Sequence, residues 1–230
     1  MISTTNFLEN KLNVALVGAR ADGHAGSVLD ALSCFNNINV VAFFDNTPNK
    51  INKKIYGIPV IGDIGKISEF EDEKIDVFHV TIGHNKARFD IYNELEAMGL
   101  QFLSIIHPTA IISSSAKIGK GCFIGANAVI QNNVDINDYS IINTGAIIEH
   151  DNVIGKAVHI APSACTAGKV TIHDLSFIGI GALVIPEITI GYGAFINAGV
   201  LVKKNVEDGL TMVGYTAKIH SKNIYHDIDK

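Results

Sequence analysis

The chain has no tryptophan, three cysteines and five prolines among its 230 residues. The cysteines, Cys34, Cys122 and Cys165, are odd in number, far apart and in no C-x-x-C spacing. That argues for reduced thiols, excludes a disulfide framework or a zinc site, and leaves no metal expected. Cationic residues are in short supply too: Lys+Arg number 18 against Asp+Glu 23, for a formal charge of -5, so nothing in the charge balance attracts nucleic acid. No run approaches the roughly 18 apolar residues of a membrane span. The stretch MISTTNFLENKLN carries two charges and no apolar signal core, from which a cytoplasmic protein is expected. What the chain does have is apolar bulk, 47% against 18% charged, enough for one large or two modest domains with real cores.

Much of that bulk is isoleucine, and it is periodic. Steps of six from Ile112 to Val202 meet thirteen Ile, two Val and one Thr without a slip. A helix repeats at 3.6 and a simple strand at 2, so a strict six belongs to a solenoid of short strands. An isoleucine-rich β-sandwich would not keep such register. The fifth hexad position stays mostly small or β-branched, as at Ala116, Cys122, Ala128, Val134 and Ala146, so one aliphatic and one small side chain per face stack inward. The fourth position is Gly or Asn in eight hexads (Gly121, Asn127, Asn133, Gly145, Gly181, Gly193, Gly199, Asn205). These residues enter left-handed backbone cheaply and read as corners. Three strands and three corners close a triangular coil, so the sixteen hexads build about five coils spaced by about 4.8 Å. Handedness does not follow from spacing.

Residues 12 to 107 lack the six-step pattern. They alternate strands and helices: LNVALVG, a helix from about Ala25 to Phe35, INVVAFFD, IDVFHVTIG, a helix from about Lys86 to Met98, and LQFLSII. This is a parallel α/β pattern, and His107-Pro108 marks its junction with the hexads. The loop after the first strand, G-A-R-A-D-G-H-A-G, departs from G-x-G-x-x-G, which weakens any dehydrogenase reading. A glycine-rich turn beside a helix N-terminus still suits phosphate, and Asp45 closes the second strand, where a carboxylate commonly meets a ribose or base. The alternative, a mere tight turn and a strand cap, stays open on these residues alone.

The hexads from about Ile111 resemble the left-handed parallel β-helix of the hexapeptide-repeat acyltransferases. That resemblance implies acetyl-CoA as acyl donor and a homotrimer with active sites between subunits. GHA after the first strand, FFDN after the second, TIGHNKAR after a later one and INTGAIIEHDNVIGKAVHIAPSACTAGKV at 142–170 make the chain similar to the sialic acid O-acetyltransferase family. That family includes UDP-N-acetylbacillosamine N-acetyltransferase and other nucleotide-sugar 4-amino N-acetyltransferases. The expected organisation is an α/β Rossmann-like nucleotide-sugar-binding domain over 1–107, a left-handed β-helix over 108–207 and a tail over 208–230. The implied activity is transfer of acetyl to the 4-amino group of a nucleotide-linked 4-amino-4,6-dideoxy sugar. O-acetylation of sialic acid or a related sugar is the alternative, and a solenoid that binds without catalysis is a third reading. Whether the nucleotide is UDP, dTDP or GDP stays open.

By position, the resemblance implies that Asp22, Gly23, His24, Asp45, Asn46 and Gly83 bind the substrate and that Asn143 lines the acceptor pocket. It places His159, Gly168, Ile180 and Ala198 at the cofactor, with Lys218 in MVGYTAKI a further candidate. His150 matches the family's general base. The chemistry requires one, because an attacking amine must shed a proton as the new bond forms. His150 occupies the third position of its hexad, turned from the core and flanked by Glu149 and Asp151, either of which can orient an imidazole. The N–H of Gly168 suits an oxygen on which charge develops. Nothing marks Cys165 as an activated nucleophile, so attack is expected to be direct, with no acyl-enzyme.

Overall fold

The computed structural model of the chain describes residues 2–3, 11–21 and 23–214. In chain order its first part holds β1 (Ile2–Ser3), β2 (Leu12–Val17), α1 (His24–Ser33), β3 (Ile38–Phe44), β4 (Lys54–Ile55), β5 (Ile58–Gly62), β6 (Val77–Val80), α2 (Asn85–Ala97) and β7 (Leu103–Ile106). A sheet of order β4-β5-β3-β2-β6 forms, parallel except for the β4–β5 hairpin. Because β3 and β6 lie on opposite sides of β2, strand order reverses there, and a crevice opens at the carboxyl ends of the three strands.

Three elements differ from the sequence reading. No element was expected between the second strand and Ile75, yet β4 and β5 pair through Tyr56–Gly57, both at positive φ (52° and 81°). Only Gly57 advertises that turn. LQFLSII was read as the last strand of the α/β pattern; its Phe102 does bridge Phe78 of β6 in parallel, but its main part, β7, pairs with Phe123–Ile124 and with β1, as a rung of the solenoid. Its alternation is the reason: Leu103 and Ile105 join the α/β core while Ile106 joins the solenoid core.

From Ile111–Ile112 each strand has two residues, and up to Leu201–Val202 partners lie eighteen positions apart in parallel, as Ile111 with Val129 and Val129 with Ile147; the strand at Phe195 pairs instead with Thr211–Met212, sixteen positions on. Three faces result. Sheet one contains β7 and the strands at Phe123, Ile141, His159, Phe177 and Phe195; sheet two those at Ile111, Val129, Ile147, Cys165, Leu183 and Leu201; sheet three those at Lys117, Asp135, Val153, Thr171 and Thr189. The second residue of each strand turns inward, and Ile124, Ile142, Ile160 and Ile196 are fully buried. Each such side chain contributes about 1.5–3 kcal/mol of burial. Polar residues at the fifth position satisfy carbonyls inside the coil: Ser140 Oγ donates to Gly155 O at 2.8 Å and Ser176 Oγ to Gly191 O at 2.6 Å.

The fourth position has positive φ in every hexad from Gly121 to Gly199, including Tyr139, Asp151, Ala157, Leu175 and Glu187. Composition thus revealed only some of the corners. The coil imposes the rest, because from Tyr139 to Gly199 each corner amide donates to a carbonyl of the coil below, as Tyr139 N to Lys120 O at 2.8 Å and Asp151 N to Asn132 O at 3.0 Å, while Asn127 N and Asn133 N donate to the hydroxyls of Thr109 and Ser115. That bonding offsets a backbone cost of about 1–2 kcal/mol per residue. Asn205, expected as a corner, does not take positive φ; the regular ladder ends there, and Val206 makes only a single bridge to Ile190.

Helix α2 joins the two parts. Tyr92 stacks on Tyr139 with centroids 4.2 Å apart and donates to Gly121 O at 2.9 Å. Arg88, 1% exposed, donates to the corner carbonyls of Tyr139 and Ala157, both at 2.8 Å, and Asn85 Nδ2 to that of Leu175 at 3.0 Å. Phe123 and Ile141 of the solenoid complete the apolar core beneath β2.

Candidate active site

The crevice holds a cavity of about 480 Å³ lined by Gly18, Gly23, His24, Asp45, Asn46 and Gly83, among others. Five of the expected substrate residues therefore share one wall; Asp22 lies outside the described residues, as does Lys218. Gly18 has φ +104°, and a Cβ there would stand 2.7 Å from Ile82, so the loop must start on glycine. Thr81 Oγ1 donates to the Gly18 carbonyl. Asp45 accepts from Ala19 N at 2.7 Å, Thr47 N at 2.9 Å and Lys50 Nζ at 2.9 Å. Burial alone would raise its pKa, but the hydrogen bonds from Thr47, Lys50 and Ala19 outweigh it and hold the group below the usual carboxylate range. Asn46 Oδ1 accepts from Ile64 N at 2.8 Å. His24 packs edge-on against Phe123, and its buried Nε2 has no partner. Burial first, then His79, His159 and Arg88, push its pKa well down.

His150 stands at the corner between sheets two and three. Its Nδ1 lies 2.8 Å from Asp151 Oδ2, and Asn133 Nδ2 donates to the other Asp151 oxygen at 3.1 Å. The sequence left Asp151 and Glu149 open as partners; the short contact is with Asp151, whose pKa is lowered by the hydrogen bonds from His150 and Asn133. The imidazole rests on Gly168, where a Cβ would come within 2.5 Å of Cε1 and 2.6 Å of Nε2. The Gly168 N–H makes no hydrogen bond among the described residues. Beneath this corner, Asn152 Nδ2 donates to Glu149 O at 2.7 Å and Ala167 O at 2.8 Å. Sequence reasoning missed this brace because the fifth hexad position was read as a column of mostly small or β-branched residues; the amide of Asn152, in line with Val134 and Val170, was the available signal.

The remaining cofactor candidates divide. Ile180 and Ala198, both exposed, occupy the same corner in successive coils, between sheets one and two. His159 lies on sheet one, with Nε2 3.2 Å from Asn143 Nδ2 and Nδ1 3.4 Å from Gly83 O. Burial first and Arg88 second push its pKa down to about 4. Gly83, Asn143 and His159 thus meet where the cavity wall touches the solenoid. His150 and Gly168 do not reach that point within one chain: they stand at the opposite edge of sheet two. Between those edges sheet two presents Ile111, Ile147, Leu183 and Leu201, 66%, 37%, 50% and 46% exposed. The Cys165 thiol there is pushed up by burial and by Glu149, the reverse of what a nucleophile needs.

Among the described residues no helix is long and apolar enough to cross a membrane, and no group of three His, Cys, Asp or Glu residues is placed to hold a metal. Residues 13–95 match the family model for the PglD N-terminal domain, and residues 115–150 that for bacterial transferase hexapeptide (six repeats). PerB from Caulobacter crescentus, solved in complex with CoA and GDP-perosamine, is 32% identical with a TM-score of 0.81, over 91% of this chain and 97% of that one. The acetyltransferase domain of PglB from Neisseria gonorrhoeae FA1090 is 32% identical with a TM-score of 0.80, over 88% and 96%, and has also been solved with acetyl coenzyme A. WeeI from Acinetobacter baumannii AYE is 25% identical with a TM-score of 0.76, over 89% and 97%. The chain spans 23% and 49% of the length of the curated relatives it matches.

Proposed function

The chain belongs to the nucleotide-sugar acetyltransferases built on hexapeptide repeats, and from that premise we propose that it transfers acetyl from acetyl-CoA to the 4-amino group of a nucleotide-linked 4-amino-4,6-dideoxy sugar. The observation that carries this reading is the His150–Asp151 pair seated on Gly168, a base with its orienting acid beside a glycine whose N–H is unspent among the described residues. The GDP-perosamine and CoA bound by the Caulobacter relative support the same substrate classes here.

Acetyl-CoA supplies the acyl group already activated as a thioester. With Nδ1 committed to Asp151, His150 Nε2 is the nitrogen that takes the proton shed by the attacking amine, and Asp151 stabilises the resulting imidazolium. Gly168 N–H donates to the oxygen on which negative charge develops. Exposed Ile180 and Ala198 suit the apolar arm of the donor, and the 480 Å³ cavity suits the nucleotide.

A single chain separates this base from the cavity, so the site is completed by a second copy. The apolar column on sheet two is the surface such a copy would cover, which supports a homotrimer; light scattering then returns about three times the 24.7 kDa chain mass.

Thiol release from acetyl-CoA, measured against UDP-, dTDP- and GDP-linked 4-amino-4,6-dideoxy sugars and N-acetylneuraminic acid, tests the reaction. Release with one amino sugar supports the proposal and identifies the nucleotide. Release with the sialic acid alone replaces it with O-acetylation.

A further inference from the structure

The wall between the cavity and the solenoid is held by a buried cation that faces only neutral oxygens. Besides the corner carbonyls of Tyr139 and Ala157, Arg88 donates from Nη1 to Ile82 O at 3.1 Å and Gly83 O at 2.9 Å, and from Nη2 to Asn85 Oδ1 at 3.1 Å. One guanidinium thereby fixes two coils of the solenoid and the loop that ends the cavity. The Gly83 carbonyl is shared, since His159 Nδ1 approaches it as well.

The protonation of His159 can be worked out from its neighbours. Asn143 Oδ1 accepts from Thr144 N at 2.8 Å, and a backbone amide only donates, so the amide oxygen of Asn143 is assigned. Asn143 Nδ2 is then the atom 3.2 Å from His159 Nε2. An NH2 group only donates, hence Nε2 carries the lone pair and Nδ1 carries the proton, facing the Gly83 carbonyl, which can only accept. The opposite tautomer sets N–H against N–H at one end and lone pair against carbonyl at the other. An imidazolium fares no better, buried beside Arg88 of α2 and His24 of α1, with Phe177 edge-on at 5.0 Å.

We infer that Arg88 is a positioning residue: by fixing the Gly83 carbonyl it locks His159 in the Nδ1–H tautomer, so the donor offered toward the acceptor pocket is the second N–H of Asn143 and not the imidazole. Among the described residues that second N–H meets no acceptor. The effect of Arg88 on turnover rests on the function proposed above; the tautomer of His159 does not.

Long-range 1H–15N NMR of the whole histidine-labelled protein, with His159 assigned by its loss in His159→Phe, reads the tautomer directly. The expected spectrum shows protonated Nδ1 and unprotonated Nε2, unchanged between pH 8 and about pH 5.5. A protonated Nε2, or a ring that titrates above about pH 6, overturns the inference even if Arg88→Lys does not fold. Arg88→Lys keeps the charge but not the planar fork. It is expected to mix the two tautomers and to raise KM for the nucleotide sugar about tenfold, with KM for acetyl-CoA little changed. Wild-type spectrum and kinetics in Arg88→Lys would refute the positioning role. Should no nucleotide sugar turn over in the wild-type protein, the proposed function fails while the spectrum still decides the tautomer.

Discussion

Replacing Gly168 by alanine separates chemistry from stability more cleanly than removing a catalytic group. The added Cβ would stand 2.5 Å from His150 Cε1 and 2.6 Å from Nε2. Ordinary carbon contacts begin near about 3.5 Å, so the ring must retreat by about 1 Å. Its 2.8 Å bond to Asp151 does not survive that shift intact. The backbone of Gly168 lies outside the left-handed region, so alanine costs nothing there and reduces unfolded-state freedom by about 0.4–1 kcal/mol. His150 is 48% exposed and is free to move. The expected result is a kcat lowered about a hundredfold, the scale on which a 1 Å misplacement acts, with Tm within a few degrees of wild type. Steady-state thiol release and thermal unfolding on the same preparation measure both. A kcat within about threefold of wild type would refute the seating of the base on Gly168, and a lost fold would refute the account of its backbone.

His150→Ala should lower kcat by about a hundredfold or more with the fold unchanged, as steady-state thiol release and thermal unfolding on the same preparation would measure. Asp45→Asn should cost about 1.5–3 kcal/mol at pH 7, because the donors from Ala19, Thr47 and Lys50 lose an ionised acceptor. The pKa of Asp45 is depressed in the fold, so its stabilisation is present above the ordinary aspartate value and drains away as pH falls through the folded one. Acid unfolding of Asp45→Asn should therefore be flatter below about pH 4, and an unchanged acid slope would contradict the assignment. Thr166→Val should stabilise by about 1 kcal/mol, since the Thr166 hydroxyl is buried without a partner in the isoleucine column; denaturant titration showing a loss would mean the hydroxyl is bonded after all.

What the sequence revealed follows from which constraints are local. The inward position of every hexad is set by the coil itself, so Ile112 to Val202 could be read by counting. The left-handed corners at Tyr139, Leu175 and Glu187 were illegible, because a neighbouring coil stabilises them and their own residue type does not favour them. The same holds for Arg88, whose acceptors at Tyr139 and Ala157 lie 51 and 69 residues away. GHA, FFDN and the histidine flanked by acids stood out as motifs, and most of the residues they point to line one cavity or one corner. Asn133 and Asn152, which hold that corner from the coil below and from inside, carried no motif. The strand at β7 was read into the α/β pattern alone, although only Phe102 bridges that sheet and the alternation of Leu103 to Ile106 serves two cores at once.

The eighteen-residue rung has a consequence for how such a chain can change length. A single inserted residue either bulges out at a corner or rotates every later isoleucine out of its column, so growth is quantised: whole turns are added or nothing is. Each added turn lengthens the prism by about 4.8 Å. Inserted between His150 and Ile180, one turn would shift the proposed base by that much along the prism relative to the shelf proposed for the donor, several times the tolerance of a proton transfer. Those thirty residues act as a fixed ruler, and homologous chains are expected to differ in turn number only outside them.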